Sequence, residues 1–141
     1  MLIPLRAGRL LLPSATVAEV IGYREPAPIL HAAPWLPGRV NWQQREIPVV
    51  DFERLLGRAD TTAGIRQRIV VCYAPNAVGG WPLFGLLAQG IPRLLRVSSE
   101  AIASVRNGDP AEAAVRMTVA IGDEEVLLPD LDYLQAQLPA H

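Results

Sequence analysis

Thirteen prolines punctuate a chain of 141 residues, roughly twice the usual ~5%. Each removes a backbone donor and clashes with the preceding helical turn. A bundle of long helices is therefore excluded, and short elements joined by many turns are expected. Pro26, Pro28, Pro34 and Pro37 all fall between Glu25 and Gly38. That stretch is expected to be an extended loop with Trp35 and Leu36 exposed, Trp35 serving as a partner anchor or, the reading favoured here, as a lid on the core. Half of the residues are hydrophobic and 19% are charged. The chain can thus bury a core over residues 1–141, as a single domain or as two small lobes sharing it.

Apolar runs of strand length recur. Residues 2–6 and 9–12 flank Ala7-Gly8 as a hairpin. Ser14 and Thr16 open Val17 to Ile21, which reads as a short helix leading into a strand. Gly38 to Asn41 and Glu46 to Val50 form a second pair. Further on, Gln67 to Tyr73, Pro82 to Ala88 and Ile91 to Val97 are strand-like. Ser98-Ser99-Glu100 starts a helical turn, and Arg106 to Glu112 is a turn. Arg116 to Ile121 and Glu125 to Leu128 form a last hairpin about Gly122-Asp123.

Asp51, after Ile47-Pro48-Val49-Val50, is placed to cap a short helix, with Glu53 in its first turn and Gly57 at its stop. Asp130 stands the same way before Leu131-Asp132-Tyr133-Leu134. This echo of strand, Asp, apolar, acid, any residue, Leu predicts two similar lobes. Short strands at hairpin spacing fit small barrels.

All 13 basic residues are arginine. Schiff-base enzymes, lysine-bearing phosphate loops and receiver domains with their lysine are excluded, so Asp51 reads as a cap and not a phospho-acceptor. Cys72 is the single cysteine, in a buried strand, and His31 and His141 are the only histidines. No disulfide, metal site or catalytic triad can be assembled from them. Glu19, Glu25, Glu46, Glu53 and Asp60 show no pairing for acid/base work, and Asp123-Glu124-Glu125 reads as a solvated turn. Gly79-Gly80 lacks the basic residue of a phosphate loop, and Arg93 and Arg96 fall on opposite strand faces.

A net charge of −1 gives no field to hold nucleic acid or an anionic membrane. Residues 69–92 are uncharged and long enough to cross a bilayer. Their prolines and Asn76-Ala77-Val78-Gly79-Gly80 split them into two strand-length pieces, so a buried hairpin is expected and no membrane insertion. No signal peptide is evident, which points to a cytoplasmic location. The composition leaves no catalytic residue, metal or cofactor to name, and protein binding as the function.

Several segments together resemble the CheW-like family of chemotaxis coupling proteins. They are Leu5-Arg6-Ala7-Gly8-Arg9-Leu10-Leu11-Leu12-Pro13, Val17-Ala18-Glu19-Val20-Ile21-Gly22-Tyr23, Ala33-Pro34-Trp35-Leu36-Pro37-Gly38, Val40-Asn41 and Ile47-Pro48-Val49-Val50-Asp51-Phe52. The second half is similar more loosely, through Leu83-Phe84-Gly85-Leu86-Leu87-Ala88, which lacks the family's aspartate, and Val126-Leu127-Leu128-Pro129-Asp130-Leu131. The resemblance implies an all-β fold with a few short helices: two intertwined five-stranded SH3-like barrel lobes sharing a core. It implies a non-catalytic adaptor between the cytoplasmic tip of a chemoreceptor and the regulatory domain of a histidine kinase.

By the same resemblance, Val17, Glu19, Gly38, Asn41 and Gln43 are the interface candidates. Where family members carry Arg-Gly, this chain has Gln43-Gln44, with Arg45 two positions beyond Gln43 as a partial replacement on the same strand face. That departure fits a divergent or accessory adaptor, for instance in a type IV pilus pathway. The alternatives are a small-molecule-binding barrel or enzyme subunit, built on the apolar run around Gly79 to Gly90, and a paralogue that has lost coupling.

Overall fold

A computed structural model describes residues 1–6, 8–57, 67–74, 81–94, 102–107, 114–121 and 124–138. Ten strands and two short helices follow one another: β1 Leu2–Leu5, β2 Gly8–Leu11, β3 Val17–Gly22, β4 Gly38–Trp42, β5 Arg45–Val50, α1 Phe52–Leu55, β6 Arg68–Tyr73, β7 Leu83–Ala88, β8 Ile102–Asn107, β9 Val115–Ile121, β10 Glu124–Pro129 and α2 Leu131–Gln137.

The strands form two five-stranded sheets. The central sheet has the order β3-β6-β7-β5-β4, and the terminal sheet the order β1-β2-β10-β9-β8. The N-terminal hairpin therefore joins the C-terminal strands, with β2 parallel to β10 through Leu10 and Leu127. In the central sheet β5 lies parallel to β7 in the same way. Four strands of each sheet thus repeat one pattern: β4-β5-β7-β6 corresponds to β9-β10-β2-β1.

The repeat extends to the corners. Asp51 Oδ1 accepts from the Arg54 N–H at 3.3 Å, and Asp130 Oδ1 from the Tyr133 N–H at 3.0 Å. Their backbones agree closely, φ −93° and ψ 96° against φ −86° and ψ 97°. Both caps and their echo stand as the sequence indicates.

Alternation along β6 and β7 explains why they are apolar from Ile69 to Cys72 and from Leu83 to Ala88. Val70, Cys72, Phe84, Leu86 and Ala88 face a core shared by both sheets, with Ile3, Leu5, Leu10, Leu12, Leu127 and Leu134 from the terminal side. Ile69, Val71, Leu83 and Leu87 point the other way, into a second core with Ile21, Val40, Ile47 and Val49 inside the curl of the central sheet. A strand buried on both faces has no polar positions to show. The 69–92 segment accordingly supplies the antiparallel pair β6–β7, from Arg68 opposite Ala88 to Tyr73 opposite Leu83. Among the described residues no helix is long and apolar enough to cross a membrane.

Four local expectations change. Ser14–Thr16 is a single 3₁₀ turn, and the residues from Val17 on are strand, not helix. The β-branched Val17, Val20 and Ile21 gain more by pairing with β6 than a one-turn helix would offer. Leu36 is buried, not exposed, and Trp35 is half-buried, not exposed; its packing against the shared core agrees with the lid reading over the anchor. Residues 91–94 make a single bridge, Arg93 with Leu2, because Pro92 withholds a ladder donor. Arg106 and Asn107 end strand β8 instead of opening a turn. The expectations for Asp60, Asn76 to Gly80, residues 95–100, residues 108–112, Gly122-Asp123 and His141 lie outside the described residues.

Candidate functional site

The five interface candidates sit on the two edge strands of the central sheet and the turn between β4 and β5. The sheet curls so that β3 and β4 approach each other, and side chains join them. The Trp42 indole N–H donates to Glu19 Oε2 at 2.7 Å. Just past the end of β3, Arg24 Nη1 donates to the Asn41 carbonyl at 2.6 Å.

A bulge in β3 makes the first contact possible. Val17 lies opposite Cys72 and Glu19 opposite Val71, so Ala18 is the extra residue. Val17 consequently packs toward the shared core, while Glu19 takes the face of Val71 at the rim of the second core. Trp42 packs against that second core from the other edge. The buried ring body and the exposed N–H are the usual division of labour for tryptophan.

Gly38 opens β4 beneath a strap. Ala27 exchanges both backbone hydrogen bonds with Arg39, at 2.8 and 2.9 Å. A Cβ on Gly38 would collide with the Ala27 carbonyl oxygen and lie 2.6 Å from its carbon. Gly38 is buried, and its position serves backbone approach. The strap and Arg24 also cover the outer edge of β4, which blocks strand addition there.

Gln43 and Gln44 form the two-residue turn between Trp42 and Arg45, both with positive φ, 48° and 65°. Such turns match strand twist but normally use Asn-Gly. The same-face argument for Arg45 fails for this reason. It treated residues 43–45 as one strand, whereas Arg45 begins the opposite strand as the partner of Trp42.

Glu19, Asn41 and Gln43 are therefore exposed together along one seam, while Val17 is half-buried and Gly38 buried. Trp42 and Arg24 were missed in the sequence. The signal for Trp42 was present: a tryptophan at a strand end needs an acceptor for its N–H. The signal for Arg24 was not, since its partner is a backbone carbonyl. Among the described residues, no three His, Cys, Asp or Glu side chains group to hold a metal. Side chains fill the interior of the central curl.

The profile of the CheW-like domain matches residues 1–137. The chain belongs to the CheW-like family. It is 27% identical over 118 residues to the chemotaxis protein CheW of Rhizobium meliloti (strain 1021), a match covering 82% of this chain and 73% of that protein. Its fold is that of the scaffolding protein TtCheW from Thermoanaerobacter tengcongensis, with a TM-score of 0.75 at 16% identity, over 92% of this chain and 86% of the other. Within this CheW-like domain, the departure at Gln43-Gln44 is confined to the hairpin tip, and the seam beside it is closed by Trp42 and Glu19.

Proposed function

We propose that the chain is a non-catalytic, cytoplasmic signalling adaptor that couples the tip of a chemoreceptor to the regulatory domain of a histidine kinase. The observation that carries this is the family match along residues 1–137. The β3–β4 seam is the proposed contact surface. Glu19 Oε2 is held by Trp42, which fixes the carboxylate for a partner's cation or N–H at the exposed rim. Asn41 and Gln43 extend that surface, Val17 supports it from beneath, and Gly38 sets the path of β4. The Gln43-Gln44 tip favours a divergent adaptor serving its own receptor set, such as one in a pilus pathway.

Binding to an immobilised kinase regulatory domain and to a receptor tip from the same source tests the reading. Micromolar binding to both is expected, weakened by Glu19→Arg. No binding to either at high micromolar concentration would overturn it.

A further inference from the structure

The turn that joins β4 to β5 is built against the preference of its own residues. Gln43 and Gln44 hold φ of 48° and 65° there, a region that favours glycine and, after it, asparagine and aspartate. A side chain in that conformation crowds the carbonyl that follows it, and glycine would spare the fold this cost. The glutamines return nothing to the fold. Both are exposed, and neither carboxamide makes a hydrogen bond among the described residues.

The tip is nevertheless firmly placed. Trp42 and Arg45 close the ladder on either side of it. Trp42 is tied to Glu19 at 2.7 Å, and the Asn41 carbonyl to Arg24 at 2.6 Å. The two glutamines therefore project from a fixed base at the end of the β3–β4 seam. Backbone strain that nothing inside a molecule repays points to a use outside it.

The kind of side chain narrows that use. Asparagine would carry the same carboxamide with less strain, so the longer stem of Gln44 supplies reach. A carboxamide offers an acceptor and two donors without charge. No charged residue stands between Val40 and Arg45, and further along the ladder Arg39 and Glu46 pair with each other at 3.3 Å. A neutral polar surface is what such a tip matches. Where the CheW-like pattern has Arg-Gly, the glycine position holds Gln44 here, which adds a side chain at a point that glycine leaves bare.

We propose that Gln44 is a specificity-determining contact residue, whose carboxamide reaches past the hairpin tip to pair with an amide group of the protein docked along the seam. The inference rests on the adaptor reading for the identity of that protein.

Three variants of the full chain test it, each through its urea midpoint and its affinity for the immobilised kinase regulatory domain and receptor tip. Gln44→Gly relaxes the turn and removes the carboxamide. Its midpoint should rise while its affinity for one of the two partners falls about tenfold, the scale of one interface hydrogen bond. A residue that served the fold alone would not move the two in opposite directions. Gln44→Met keeps the length and the backbone strain without the amide, and should weaken binding to a similar extent, which separates the carboxamide from a loosened turn. Gln44→Glu adds charge at the same reach and should weaken it at least as far.

Wild-type affinity for both partners in Gln44→Gly or Gln44→Met overturns the inference and leaves the adaptor reading standing. So does equal or tighter binding by Gln44→Glu, or a lower midpoint in Gln44→Gly. If the wild-type protein binds neither partner, the adaptor reading fails and the inference falls with it.

Discussion

The indole of Trp42 donates to the carboxylate of Glu19 at 2.7 Å, and these residues stand on the first and last strands of one sheet's spatial order. A side-chain hydrogen bond here does what a strand ladder does in a closed barrel. Trp42→Phe keeps an aromatic ring against the second core and loses the bond, and a cycle with Glu19→Ala separates the bond from the lost ring contacts. Loss of the bond should lower stability by about 1 kcal/mol, with a non-additive double mutant with Glu19→Ala. Urea unfolding of the four-member cycle measures this, and strictly additive losses would remove the seam's role.

The hairpin tip carries strain that a single change should relieve. Gln44 sits at φ 65°, where an L side chain crowds its own carbonyl. Gln44→Gly should stabilise the domain by about 1 kcal/mol. A lower urea midpoint for the glycine variant would contradict the turn described here.

Gly38→Ala should be severe. Its Cβ meets backbone, the Ala27 carbonyl, which cannot rotate away. A loss of about 3 kcal/mol is expected, in the range of substitutions that break special backbone geometry. Hydrogen exchange should show the amides of Ala27 and Arg39 losing protection before the rest of the central sheet. Wild-type protection at both would mean the strap tolerates the extra carbon.

The two caps are equivalent in geometry and different in surroundings. Asp51 is 7% exposed with two guanidinium groups near it, whereas Asp130 is half-buried and its carboxylate accepts the Tyr133 N–H with no arginine ion pair among the described residues. Asp130→Ala should cost about 1 kcal/mol, and Asp51→Ala about 2 kcal/mol, since it also strands Arg6. Thermal melts in parallel check the order, and an equal loss would show that the arginines add nothing.

Cys72 is fully buried, and desolvation pushes its thiol well above the ordinary 9.0. The native thiol should resist alkylation at pH 8 and react only on unfolding. The unfolded thiol ionises first. This contribution to stability is therefore complete below pH 9 and declines as pH rises, by at most about 1.4 kcal/mol per pH unit. The pH slope of stability above 9 should be shallower in Cys72→Ala than in the wild type, and identical slopes would contradict it.

Strand positions were legible where apolar runs met turn residues, as at Leu2–Leu5, Gly38–Trp42 and Arg68–Tyr73. The helix caps were legible because Asp-x-acid after a strand is a local instruction. What could not be read locally depended on partners distant in sequence. The strand at Val17 needs β6, and the burial of Leu36 needs the shared core. The contacts of Glu19 and Arg6 need residues 23 and 47 positions away. The hairpin tip misled the reading of Arg45, because face parity holds within a strand and resets across a turn.

The crossing of the N-terminal hairpin into the terminal sheet sets the order in which the molecule can be made. Leu10 is translated long before its strand neighbour at Leu127. The central sheet, closed by residue 88, can assemble while synthesis continues. The β1–β2 hairpin can pair within itself, but its outer β2 edge must wait until β10 has been made. Any truncation before β10 leaves that edge without its partner, so a chain cut between the apparent halves yields no complete N-terminal unit.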